Sequence, residues 1–323
     1  MSFFPNAHGF SLHGSTFQNV GRDQTNVTYE SSPEFIKDVG AIHDSVLRNS
    51  PPRCHPDTWK EVLEEINSWI DAELEERSIC WIYGSAGVGK SALAQTIAEH
   101  TADHHILGAS FFFSRNHAAG HAGYLFPTIA YQLATGIDPF EEAITETLRR
   151  NPGVLQSSLD TQFKELILKA LQKAQEVDGA WMSQPWVIVI DGLDECVDSI
   201  TQERIIALIA SLSDELLPFR FLIFSRQEPQ IHEAFQINAM KSLLKHLSWD
   251  RDVWNTRRDI KRFLEAGFAN VREHPRTKHL NFPDPWPDSD IIEEIVEKAC
   301  GQFVYASTRS ILILWSNFRS SAD

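Results

Sequence analysis

Apolar positions along this chain change their spacing from helical to strand-like and back. Between 59 and 70, Trp59, Val62, Leu63, Ile66, Trp69 and Ile70 recur every three or four residues, which predicts an amphipathic helix. Thr58 and Glu61 stand three apart at its start, the pattern of a capping box. Upstream, Phe35, Val39, Ile42, Val46 and Leu47 predict a further helix and connector ending at Pro51-Pro52. From 79 the pattern becomes short runs that are apolar throughout: Ile79–Tyr83, Ala109–Phe113, Val187–Ile190 and Phe221–Phe224. Strands of a parallel sheet covered on both faces read this way. Helical segments such as Phe163–Leu171 and Arg204–Leu212 lie between them, so the predicted class is a doubly wound α/β domain.

Beyond about 236 only helical spacing is visible. Ile260, Phe263 and Leu264 share one face, and Ile291, Ile292, Ile295, Val296 and Ala299 another, with Gly301 as C-cap. Pro283, Pro285 and Pro287 separate the two. The predicted organisation is a flexible polar arm over 1–32, a helical lead-in over 33–76, a nucleotide-binding α/β domain over 77–236 and a small α-helical lid region over 237–323. The arm is rich in Asn, Gln, Gly and Thr, a composition that also permits β self-association.

Composition adds boundaries. The chain has 323 residues, 42% of them hydrophobic, enough for a core, and a formal net charge of −15. That charge argues against coating nucleic acid. The four cysteines (Cys54, Cys80, Cys196, Cys300) have no metal-ligand spacing and read as reduced thiols of a cytoplasmic protein. No secretory signal and no membrane-spanning run is visible.

The chemistry concentrates at Gly84-Ser85-Ala86-Gly87-Val88-Gly89-Lys90-Ser91, which fits G-x-x-x-x-G-K-S, follows a predicted strand and opens a predicted helix containing Ala92. Glycines let successive N–H groups turn toward phosphate oxygens, and the helix adds about half a positive charge at its N-terminus. Lys90 supplies a full charge to the β and γ phosphates, and Ser91 offers a hydroxyl to magnesium. About a hundred residues on, Val187-Ile188-Val189-Ile190 runs into Asp191-Gly192-Leu193-Asp194-Glu195. An acid at the end of a buried strand suits a Walker B magnesium ligand, Asp191, and the pair Asp194 and Glu195 suits the water-positioning role, with neither preferred. Phe221-Leu222-Ile223-Phe224-Ser225-Arg226 places Arg226 at the same sheet edge, where it fits a γ-phosphate sensor. The predicted ligands are ATP or ADP with Mg²⁺: no N-K-x-D segment follows to read guanine.

Arg115 has a similar position but reads equally well as solvated. The 13 histidines show no metal spacing, and the basic stretches near 257–262 and 272–278 read as solvated faces.

Taken together, GSAGVGKS, VIVIDGLDEC and FLIFSR resemble the NACHT class of STAND ATPases, in particular its fungal and nephrocystin-type branch. Arg53–Thr58 with Trp69 resembles that branch's lead-in, Ser110–Arg115 its second strand, and Gly301–Ala306 its later helical segment, so the likeness spans about 50–315. The resemblance implies a signalling switch, closed with ADP and open with ATP, that self-associates when open and resets by slow hydrolysis. It implies phosphate and Mg²⁺ roles for Lys90 and Ser91, Mg²⁺ for Asp191, hydrolysis for Asp194 and Glu195, and γ-phosphate sensing for Arg226. Effector and repeat-sensor partners belong to the pattern; this sequence reads as a short or truncated member, without those arrays. The competing readings are a nucleotide-bound scaffold with little turnover, against which the intact acids count, and a small-molecule kinase, against which the missing arginine-rich lid counts.

Overall fold

The computed structural model describes residues 15–20, 24–29, 40–48, 50–72, 77–115, 117–212, 218–237, 243–248, 253–275, 277 and 282–320. Strands β1 (Ser15–Val20) and β2 (Gln24–Tyr29) form an antiparallel pair within the polar arm. The rest of the arm and residues 30–39 lie outside the described residues.

The central sheet holds β3 (Ile79–Tyr83), β4 (Leu107–Phe112), β5 (Trp186–Asp191), β6 (Phe219–Ser225) and β7 (Leu244–Ser248), all parallel, in the order β4-β5-β6-β3-β7. Strand periodicity explains the uniformly apolar runs. Ile79, Trp81, Ile188, Ile190, Phe221 and Ile223 face one core cluster, while their neighbours Cys80, Ile82, Val187, Val189, Leu222 and Phe224 face the other.

One face is covered by α3 (Leu125–Gly136), α4 (Asp138–Arg150), α6 (Lys169–Val177), α7 (Ser199–Ser211) and α8 (Pro229–Gln236). A short α5 (Leu159–Gln162) and a π-helical segment, Phe163–Leu168, lead into α6. The opposite face takes α1 (Lys60–Ile70) and α2 (Lys90–Asp103). Three further helices, α9 (Val253–Glu273), α10 (Ser289–Ala299) and α11 (Phe303–Ser320), enclose a small core of their own around Ile260, Leu264, Phe268, Ile295 and Val296.

Three expectations are corrected. The region after 236 is not helical only: β7 pairs with β3 and extends the sheet. Its sequence, Leu-Lys-His-Leu-Ser, is buried mainly at Leu244, as an edge strand with one wet face allows. The helix expected within 33–56 is absent from its described part, where residues 46–48 make a single 3₁₀ turn with Val46 and Leu47 exposed. The chain there instead runs along β4, with the Phe112 N–H donating to the Ala41 carbonyl at 2.8 Å and the His43 N–H to Ser110 Oγ at 3.0 Å. Those bonds cover an exposed sheet edge, which a detached helix would leave open. The Thr58/Glu61 capping box does not form. The Thr58 hydroxyl donates to the His55 carbonyl at 2.6 Å, and Trp59 is the N-cap of α1 with no side-chain cap.

Candidate functional site

Because the strands are parallel, the loops after β3, β4, β5 and β6 gather at one edge of the sheet, the side where open α/β sheets bind ligands. There the loops after β3, β5 and β6 wall a cavity of about 460 Å³. The strand order places β6 between the P-loop strand β3 and the acid-bearing β5, so Arg226 emerges between the two motifs.

The loop 84–89 turns through Gly87 and Gly89, with φ of 78° and 104°, into α2, whose N-terminus therefore opens at Lys90. Lys90 Nζ donates to the carbonyls of Gly84 at 2.8 Å and Ser85 at 2.7 Å, so its ammonium lies within the loop. Ala86, Gly87, Gly89, Lys90, Ser91 and Ala92 line the cavity, and buried Val88 packs beneath it.

Asp191 ends β5 and is only 5% exposed. Burial pushes its carboxyl up to about 6; the Ser91 hydroxyl bonded to it and the charges of Arg48 and Lys90 oppose that rise, while Glu195 adds to it. Gly192, at φ 71°, turns the chain into the 3₁₀ segment Leu193–Glu195. A Cβ there would meet the Phe113 carbonyl oxygen at 3.3 Å.

That turn separates the two acids. Asp194 is buried and belongs to Arg226: its Oδ1 accepts from the Arg226 backbone N–H at 2.9 Å, and its Oδ2 lies 3.3 Å from Arg226 Nε. Glu195 lines the cavity and accepts from the Arg115 backbone N–H at 3.2 Å through Oε2. Arg115 Nη2 also donates to the Asp194 carbonyl at 3.0 Å, so this arginine is bound to the acidic turn.

Sequence reasoning passed over two contributors. Arg48 has its guanidinium 3.5 Å above the Phe112 ring and donates to Gln95 Oε1 at 2.5 Å. Phe112 pairs with Asp191 in the sheet register, which brings the cation to the buried acid. Nothing in the local spacing marks Arg48, because its neighbour is chosen by the packing of 40–48 on β4. The second contributor is an aromatic end of the cavity, where Trp59, Phe263 and Phe303 come from the lead-in, α9 and α11. The ring centroids of Trp59 and Phe303 are 5.5 Å apart and those of Phe263 and Phe303 5.9 Å. Near them the Val304 N–H donates to the Gly87 carbonyl at 3.2 Å, so α11 touches the P-loop directly.

The residues fit a nucleotide with its metal. The loop supplies N–H groups and a lysine, Ser91 and Asp191 supply oxygen donors to a hard cation, and the aromatic end offers a flat apolar wall. Among the described residues no group of His, Cys, Asp and Glu forms a separate metal site, and no helix is long and apolar enough to cross a membrane.

The family described as nephrocystin 3, N-terminal, matches residues 57–226, more than half of the chain. No curated protein matches it. Among solved structures, the replication initiator DnaA bound to AMPPCP and single-stranded DNA shares 12% identity with a TM-score of 0.43, over 83% of this chain and 64% of that one. A Walker-type ATPase of Pyrococcus abyssi shares 17% identity with a TM-score of 0.45, over 85% and 78%. The Drosophila origin recognition complex bound to poly(dA/dT) DNA and Cdc6 shares 11% with a TM-score of 0.37, over 68% and 35%. This chain thus spans less than two thirds of the first and third of these.

Proposed function

The chain belongs to the nephrocystin 3 N-terminal family, and on that premise we propose that it is an ATP- and ADP-binding switch of the NACHT type with slow Mg²⁺-dependent hydrolysis. The observation that carries this reading is the single cavity whose walls hold the P-loop, Asp191, Glu195 and Arg226 together with residues of α9 and α11. A site walled by both the α/β core and the helical region couples nucleotide state to the placement of those helices.

In this reading the N–H groups of 84–91 and Lys90 bind the phosphates, and Ser91 and Asp191 hold the magnesium, which neutralises phosphate charge. Lys90 exchanges the carbonyls of Gly84 and Ser85 for phosphate oxygens. The different settings of the two acids support different roles. Both acids line the cavity, but the Glu195 carboxylate is held, among the described residues, only by the Arg115 N–H and positions the attacking water, whereas Asp194, buried against Arg226, orients that arginine toward the γ-phosphate. Arg115 steadies the acidic turn. The flat end near Trp59 and Phe303 takes the base.

Calorimetric titration with ATP and ADP, paired with phosphate release, tests the reading. Lys90→Ala abolishes binding or weakens it by about a hundredfold or more, the scale of losing a charge-assisted contact in a dry site. Glu195→Gln keeps binding and stops turnover. Unchanged ATP affinity in Lys90→Ala overturns the phosphate assignment, and unchanged turnover in Glu195→Gln overturns the role of that acid.

A further inference from the structure

The start of α1 is held in an unusual way. Trp59, its N-cap, sits in the left-handed region at φ 61° and ψ 19°, a conformation that bulky side chains rarely adopt. Such a residue persists only where its surroundings over-determine it. Its backbone N–H donates at 2.8 Å to Oδ2 of Asp259, which lies 200 positions away on α9. Asp259 is 2% exposed, and its other oxygen, Oδ1, makes no hydrogen bond. The nearest cations to Oδ1 are Arg258 Nε and Arg262 Nη1, each at 3.8 Å.

A buried carboxylate with one oxygen committed to a backbone N–H is a strong acceptor, and it faces the N-terminus of α1, where negative charge is favoured. Two neighbours reinforce the junction: Arg262 Nη1 donates to the Asp57 carbonyl at 3.1 Å, and Arg258 Nη2 to Glu61 Oε1 at 3.4 Å. The Trp59 ring then stands between the P-loop and the helical region. Its Nε1 lies 3.8 Å from where a Cβ on Gly89 would be, and Phe303 Cδ2 lies 3.9 Å from that same point.

We propose, building on the nucleotide reading of the same cavity, that Asp259 is a positioning residue for bound nucleotide, acting through Trp59. The carboxylate on α9 holds the backbone of Trp59 in its left-handed turn, and that turn presents the indole as the base-facing wall beside Gly89 and Phe303. Nucleotide affinity therefore depends on a side chain that does not line the cavity, and the helical region contributes to binding by fixing the lead-in as well as by covering the site.

The test is a double-mutant cycle on the full chain, measuring ADP affinity in magnesium buffer by calorimetry, with thermal unfolding alongside. Asp259→Ala weakens ADP by about tenfold, the scale of losing one ring against a base. Asp259→Asn stays close to wild type, because its amide oxygen still accepts from the Trp59 N–H. Trp59→Gly loses as much as Asp259→Ala, since glycine takes up the left-handed conformation freely but has no ring. Adding Asp259→Ala to Trp59→Gly costs nothing further. Additive losses, or an Asp259→Asn as weak as Asp259→Ala, overturn the proposal. Unchanged ADP affinity in Trp59→Gly overturns it whether or not Asp259→Ala folds. A wild-type chain that binds neither ADP nor ATP overturns the nucleotide reading itself and this proposal with it.

Discussion

At the scale of single residues, the cost of the site is concentrated in Asp191. A carboxylate with little access to water is disfavoured when charged, and Ser91, Arg48 and Lys90 compensate only in part, leaving its carboxyl at about 6. In the unfolded chain the same group titrates near 3.8. The folded state therefore binds the proton more tightly. The relative stability this confers is complete below pH 3.8 and is lost as pH rises through 6. Asp191→Asn removes the penalty. In the absence of nucleotide and metal, that variant is more stable than wild type at pH 7.5 by on the order of 3 kcal/mol, and the advantage vanishes at pH 4. Urea unfolding at both pH values checks this, and an Asp191→Asn protein that is less stable at pH 7.5 contradicts it. Lys90 and Ser91 stood out in the sequence because their spacing lies within one strand–loop–helix unit, and Asp191 because it ends a second apolar run. Arg48 was not, because what makes it part of the site is the Phe112 ring beneath it and Gln95 beside it, both reached only through the fold.

At the scale of elements, the strands β3, β5 and β6 were readable because both faces are buried, so the runs Ile79–Ile82, Val187–Ile190 and Phe221–Phe224 within them are apolar. The edge strand β7 was not, because Lys245 and His246 make it resemble a polar connector. The start of α1 shows a different failure. Thr58 and Glu61 have capping-box spacing, yet the Thr58 hydroxyl finds the His55 carbonyl and a carboxylate from α9 takes the Trp59 N–H. The His55 carbonyl takes both the Thr58 N–H and its hydroxyl, and a tertiary acceptor takes the next N–H. The turn after β5 depends on Gly192, whose positive φ and tight approach to the Phe113 carbonyl both disfavour a side chain. Gly192→Ala costs about 1–2 kcal/mol from the left-handed backbone alone. It also displaces the turn carrying Asp194 and Glu195, so turnover falls further than ATP affinity. Chemical denaturation and steady-state hydrolysis measured on one preparation separate the two effects; equal losses in affinity and turnover count against the displacement.

At the scale of the molecule, the helical region meets the P-loop through the Val304–Gly87 hydrogen bond, and the lead-in through the Trp59–Phe303 contact and the Asp259–Trp59 bond. Under the proposed function, nucleotide exchange works on these joints. Light scattering after size-exclusion chromatography, with ADP·Mg and then with a non-hydrolysable ATP analogue, is expected to show larger species only with the analogue. A monomer in both states favours a nucleotide-bound scaffold and counts against self-assembly. By itself the sequence determined that a P-loop lies between a strand and a helix, that an acid and an arginine end two further strands, and that the strands form a covered parallel sheet. All of these are encoded within short windows, where spacing and backbone geometry suffice. Only the tertiary structure decided which acid pairs with Arg226, that residues 40–48 bring Arg48 to Asp191, and that an aspartate 200 positions away sets Trp59. Those outcomes depend on which surfaces are buried together, and burial is a property of the assembled core that no local window contains.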